Sequence, residues 1–110
     1  MENYINNVEH KKIFSLKDLI GIKDISALSL VDRKSLVMKI ISVDKNKEIP
    51  THTSTGDVLV TVIEGKSKIT IEDTVFELSL GESVLIPKNA PHSLNAEEAF
   101  KLLVIQVKSE

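Results

Sequence analysis

The chain of 110 residues contains no cysteine and no tryptophan. Without Cys there can be no disulfides, thiolate zinc sites, iron–sulfur clusters or thiol nucleophiles, so a metal could be held only by histidine and oxygen ligands. Histidine is itself scarce, and the three present are His10, His52 and His92. The groups available for chemistry are therefore very few.

Charge and hydropathy exclude two classes of partner. The 14 Lys and Arg against 16 Asp and Glu give a net charge of −2, and the basic residues are scattered along the chain. This pattern predicts no nucleic-acid surface. No apolar run approaches the ~20 residues of a membrane span, and the first residues lack the basic and then apolar order of a signal peptide. We therefore expect a cytoplasmic protein that binds neither nucleic acid nor membrane.

Size and composition predict one globular domain. Hydrophobic residues make up 42% and charged residues 27% of the chain, which is typical of a soluble protein with a single core. Residues 1–24 have a mixed character and are predicted to form an N-terminal arm, with a helical turn near residues 13–20 that Ser15 could cap. Residues 25–110 are predicted to form the folded domain.

That domain is rich in short apolar segments that contain Val, Ile and Thr, which are typical of β-strands. The breaks between them are mostly short enough for hairpins, so the sheet is predicted to be antiparallel. This many short strands indicates an all-β sandwich or barrel. The predicted strands are residues 25–31, 35–43, 58–64, 67–72, 75–79, 83–87 and 100–108.

Two of these strands are apolar on both faces. In residues 58–63 and 102–107 successive side chains are largely hydrophobic, although they must point to opposite sides of a sheet. One layer of a barrel cannot cover both faces. We therefore expect a homodimer whose sheets meet across the outer faces, with a single-chain sandwich as the alternative. By contrast, residues 67–72 alternate and predict a strand with one wet face, and Phe76 and Phe100 are predicted to be core.

Two histidines, His52 and His92, stand beside prolines at predicted strand edges. Residues 52–65 have the sequence H-T-S-T-G-D-V-L-V-T-V-I-E-G, and residues 81–92 have the sequence G-E-S-V-L-I-P-K-N-A-P-H. At these residues the chain resembles the cupin family, which has a first motif built on H-x-H, Glu and Gly and a second motif G-x5-P-x-G-x2-H-x3-N. The resemblance extends from about residue 35 to residue 107. Asn89 stands where the second motif has Gly, and Asn tolerates the left-handed conformation that such a turn can require.

The resemblance implies an antiparallel double-stranded β-helix, the jelly-roll barrel of cupins. Metal-binding cupins use two His and a Glu of the first motif and the His of the second, and these positions hold His52, Ser54, Val58 and His92 in this sequence. Two of the four ligands are thus missing, and Asp57 should point away from the lumen by its parity. We expect no resident cofactor, with a divalent transition metal held weakly by His52 and His92 as the alternative.

Several functions remain open. The resemblance implies a lumen that could bind an unidentified small molecule, and a ligand pocket is predicted from side chains of shared parity and motif position. A second possibility is an enzyme of isomerase, epimerase or dioxygenase type that uses the two histidines, either metal-free or weakly metal-dependent. A third is a dimeric scaffold whose barrel is filled by valines. The predicted pocket residues are His52, Ser54, Val58, Val60, His92 and Met38.

Overall fold

The computed structural model describes residues 4–109, in which nine strands and one 3-10 turn follow one another. Residues 1–3 of the predicted arm and residue 110 lie outside this range. Among the described residues, no helix has the length and hydrophobicity needed to span a bilayer. The turn is Leu16–Asp18, and the strands are β1 Ile25–Asp32, β2 Leu36–Val43, β3 Glu48–His52, β4 Asp57–Glu64, β5 Ser67–Ile71, β6 Thr74–Leu78, β7 Ser83–Ile86, β8 His92–Asn95 and β9 Phe100–Val107.

The strands form two antiparallel sheets. The larger has the order β1-β2-β9-β4-β7, and the smaller has the order β3-β8-β5-β6. Neighbours in a sheet are often distant in sequence, which is typical of a jelly roll and not of a simple meander. The predicted all-β double-stranded β-helix with an N-terminal helical turn is therefore confirmed.

The core lies between the two sheets. Val58, Val60 and Val62 of β4 point inward and are 4%, 3% and 1% exposed, and Phe100 at the start of β9 is fully buried. Phe100 is thus in the core as predicted. Phe76, in contrast, is 37% exposed. The prediction for Phe76 was wrong because β6 is the last strand of its sheet, so one side of the ring has no neighbouring strand to cover it.

Two strands, β3 and β8, were not predicted from the sequence, and each contains a predicted site residue. β3 contains Pro50 and ends at His52, while β8 is only four residues long and begins at His92. Proline is tolerated in β3 because this strand forms the edge of its sheet and its register shifts between Ile49 and His52. Short length, polar residues and a proline together removed the usual hydrophobic strand pattern.

The segment before β1 is attached to the outer face of the larger sheet. Asn6 N–H donates to the Leu30 carbonyl over 2.7 Å, and the Lys101 ammonium donates to the Lys17 carbonyl over 2.6 Å. Lys101 points outward because its chain neighbours are core residues, and its side chain is 8% exposed. Ser15 is the N-cap residue of this turn, as predicted, but its side chain makes no capping hydrogen bond.

Candidate functional site

A cavity of about 390 Å³ opens between the two sheets. Its volume falls within the range of small-molecule sites. Most of its lining is hydrophobic, contributed by β1, β2, β4, β7 and β9 of one sheet and β3 and β8 of the other. The polar or charged side chains along it are few, and they are Ser26, Lys39, His52, Ser54, His92 and Gln106.

Five of the six predicted pocket residues lie along this cavity, namely His52, Ser54, Val58, Val60 and His92. Met38 does not, and its prediction is corrected. Its strand neighbours Lys39 and Ile41 line the cavity, and side chains at alternate positions of a strand point to opposite faces. Met38 therefore faces the outer side of β2.

His52 and His92 lie directly opposite each other on the paired strands β3 and β8. Their ring centroids are 4.2 Å apart and the ring planes make an angle of 59°. The two histidines, which are 40 positions apart in the chain, are thus brought into contact. His52 is exposed at the cavity mouth, whereas His92 is 4% exposed.

The backbone orients both rings in the same way. The Nδ1–H of His52 donates to the Pro50 carbonyl over 2.9 Å, and the Nδ1–H of His92 donates to the Ala90 carbonyl over 2.9 Å. A carbonyl oxygen can only accept, so in the neutral form of each ring the proton lies on Nδ1. Each Nε2 is then left with a lone pair, able to accept a hydrogen bond or a proton.

Burial keeps His92 in this neutral form. Desolvation lowers the pKa of His92 below its ordinary value, and the nearby His52 lowers it further, while the hydrogen bond to the Ala90 carbonyl partly offsets both. At neutral pH the His92 Nε2 is therefore an acceptor. His92 is thus a weak base in the mainly hydrophobic lining of the cavity.

The loop before His92 is held against the loop after His52. Asn89 N–H donates to the Ser54 carbonyl and Lys88 N–H donates to Asp57 Oδ1, each over 2.9 Å. Asn89 has φ 68°, so the predicted left-handed conformation is confirmed. Asp57 is thus engaged with the backbone, away from the cavity lining, in agreement with its predicted parity.

Lys39 and Gln106 were missed by the sequence. Lys39 pairs across β2 and β9 with Val104, and Gln106 pairs across β9 and β4 with Val58, so both share a face with core residues. The signal that could have found Lys39 is its parity with Ile41 and Val43. It was obscured because the alternate positions of β2 are also hydrophobic.

The side chains present do not match the metal ligand set of metal-binding cupins. Two imidazoles converge, but Ser54 supplies only a hydroxyl and Val58 supplies no lone pair. Among residues 4–109, no group of three or more His, Cys, Asp or Glu side chains is placed to hold a metal ion.

Comparison with known proteins identifies the family to which the site belongs. The family model described as "Cupin domain" matches residues 39–106, which is more than half of the chain. Among curated proteins, none matches the sequence significantly. The match spans both histidine motifs.

Solved structures resemble the chain over nearly its full length. A conserved protein of unknown function from Streptococcus pyogenes shares 37% identity, with a TM-score of 0.95 over 99% of this chain and 97% of that one. A cupin 2 conserved barrel domain protein from Leptotrichia buccalis shares 38% identity, with a TM-score of 0.84 over 86% of this chain and 47% of that one. A cupin superfamily protein from Desulfitobacterium hafniense has the same fold at 19% identity, with a TM-score of 0.90 over 96% of this chain and 98% of that one.

Proposed function

This chain belongs to the cupin superfamily, and we propose that it binds a small, mainly hydrophobic molecule in the cavity of its barrel. The observation that carries the proposal is the pair of Nε2 lone pairs, presented by rings 4.2 Å apart in a mainly apolar cavity. A ligand with an O–H or N–H group would donate to one or both. Few polar groups in an apolar pocket are the usual means of orienting a small ligand.

We further propose that the metal site of the family is degenerate in this chain. Two neutral imidazoles are fewer protein ligands than the three or four of ordinary catalytic and structural sites. Under this proposal the histidines act as hydrogen-bond acceptors for the ligand. The size of the cavity favours a binding protein over a scaffold whose barrel is filled by valines.

A second candidate function is metal-free proton transfer, as in an isomerase or epimerase. The observation that favours it is the neutral, buried His92, whose Nε2 is free to accept a proton from a bound substrate. Within the cavity lining, Lys39 could return a proton. Exchange of a ligand's C–H hydrogen for deuterium from solvent would distinguish this candidate from simple binding.

We propose that two copies of the chain associate through the outer face of the larger sheet. Leu59 and Leu85 are cross-strand partners on that face and are 39% and 58% exposed. A two-fold axis would place this pair against its own copy. Replacing Leu85 by Glu should then convert a dimer to a monomer in light scattering, with the exposed turn variant Leu80→Glu as the matched control. A protein already monomeric, or a Leu85→Glu variant still dimeric, would rule out this interface.

The binding proposal is tested with phenol and toluene, which have similar shape but differ in the donor group. We expect phenol to shift the NMR signals of cavity residues and to bind more tightly than toluene. The double variant His52→Phe with His92→Phe should weaken phenol binding by about tenfold and leave toluene binding unchanged, because the single O–H of phenol can donate to either Nε2 and loses its acceptor only when both are removed. The exposed His10→Phe variant is the control. If neither compound shifts the signals of cavity residues, the binding proposal is wrong.

A further inference from the structure

Lys39 brings a positive charge to an inward position of the barrel. It lies in the middle of β2, where its same-face neighbours Ile41 on its own strand and Val104 on β9 also line the cavity. Its side chain is half-buried. An ammonium on a core-facing position is unusual, because removal of a charge from water is costly unless a partner compensates for it.

Residues 4–109 do not provide that partner. The cavity lining contains no Asp and no Glu, and no carboxylate of residues 4–109 forms an ion pair with Lys39. The other two lysines that lie in β-strands both form ion pairs with carboxylates. Lys68 pairs with Glu97 and Glu77, and Lys101 pairs with Glu64. Lys39 is therefore the charged group of the cavity, and its charge is not neutralised from within the described chain.

His92 does not alter this balance of charge. His92 is held neutral by burial, and the two Nε2 atoms are acceptors that would repel an anion in their immediate vicinity. The cavity thus combines a cationic donor, Lys39, with an acceptor pair, His52 and His92, and with a lining that is otherwise mostly hydrophobic. A ligand complementary to this cavity has a negatively charged group for Lys39, a hydrogen-bond donor for the histidine pair and an apolar body.

We infer that the cavity selects small carboxylates with a hydrocarbon body, and that Lys39 is the residue that pairs with the carboxylate. This inference rests on the proposed binding function and specifies the chemical class of its ligand. The carboxylate binds the Lys39 ammonium, and the apolar body contacts Ile41, Leu102 and Val104. A hydroxyl on the ligand donates to the histidine pair and increases the affinity further.

The test compares benzoate with benzamide, which have nearly the same shape and differ in charge. We expect benzoate to bind the unaltered protein at least tenfold more tightly than benzamide, since hydrogen bonds to charged groups are the stronger ones. Lys39→Met should abolish this preference by weakening benzoate alone, and Lys39→Arg should retain it. Lys34→Met, which removes an exposed charge from the turn between β1 and β2, is the matched control and should change neither affinity.

The outcomes separate this inference from the proposed function. Equal affinities of benzoate and benzamide for the unaltered protein would overturn the carboxylate inference, and so would an unchanged preference in Lys39→Met. In both cases the binding of phenol or benzamide at the cavity would leave the proposed function standing. If no compound shifts the signals of cavity residues, both are wrong. Loss of benzoate binding at high salt, with benzamide unaffected, would be a further supporting result.

Discussion

His52 lies directly across from His92 on paired strands, and each ring donates its Nδ1–H to the carbonyl of the residue two positions before it. The same local geometry therefore occurs twice, once on each motif. Because both Nδ1 atoms donate to backbone carbonyls, the Nε2 atom of each neutral ring is left as a hydrogen-bond acceptor. Both rings therefore present Nε2 as an acceptor in their neutral form, although one ring is exposed and the other is buried.

This relationship predicts the tautomers of the two rings. At about pH 8, above the ordinary histidine pKa of ~6.5, long-range 1H–15N correlation spectra should show the proton on Nδ1 in both His52 and His92. His10, which is exposed, serves as the reference ring. Observation of the Nε2–H tautomer on either cavity ring would contradict the hydrogen bonds to Pro50 and Ala90, and with them the acceptor pair.

Burial of His92 predicts a pH dependence of stability. Its pKa is lowered in the folded protein, so in acid the unfolded chain binds this proton more readily than the folded chain does. The free energy of unfolding should therefore be highest above the ordinary pKa of ~6.5 and fall as the pH drops from there through the lowered folded pKa. Urea unfolding at about pH 7.5 and about pH 5.5 measures this slope.

The variant His92→Gln should reduce the slope, because the group that titrates is removed. His10→Gln, which removes an exposed histidine outside the core, is the matched control. A slope of the same size in His92→Gln would mean that other groups cause the loss of stability in acid.

Much of the fold was predictable from local sequence, but part of it depends on strand pairing. The apolar segments predicted most strands, whereas β3 and β8 lack such a segment and form because β8 pairs with both β3 and β5. Phe76 is a large hydrophobic residue of the kind usually found in a core, but it is exposed because β6 is an edge strand. These properties belong to the arrangement of the sheets and not to any one stretch of chain.

The site was predictable to a similar degree. The two motifs indicated one location for His52 and His92, and the structure brings them to one cavity. The face of β2 that points inward could not be derived, because Met38 and Ile40 are as apolar as Ile41 and Val43. Only the pairing of β2 with β9 assigns Lys39 to the cavity and Met38 to the outer face.

The structure predicts that two substitutions can build a metal site. Ser54→His with Val58→Glu would add an imidazole and a carboxylate to the cavity that His52 and His92 already line. Position 58 is 4% exposed, so the added carboxylate should destabilise the metal-free variant. Zinc should restore stability, by about 2.7 kcal/mol at a hundredfold excess over the dissociation constant.

Thermal unfolding with and without zinc measures this effect, and the single variants Ser54→His and Val58→Glu are the controls. Each should respond to zinc less than the double variant, because each completes only part of the ligand set. A double variant that folds but binds no divalent metal would show that side chains at these positions do not converge on the histidines.

Two glycines with positive φ predict different responses to the same substitution. Gly65 has φ +75° and an added Cβ would clash with the Ala99 carbonyl oxygen, whereas Gly81 has φ +85° and no heavy atom within 4 Å of such a Cβ. Gly81→Ala should lower the free energy of unfolding by about 1–2 kcal/mol, the cost of the left-handed conformation for a residue with a side chain. Gly65→Ala incurs the same cost and an added overpacking cost of about 1–3 kcal/mol, because the backbone before β9 must move.

Urea unfolding of the Gly65→Ala and Gly81→Ala variants gives the comparison. Equal losses would show that the turn after β4 does not pack tightly against Ala99, and that the first motif does not end in a sterically required glycine.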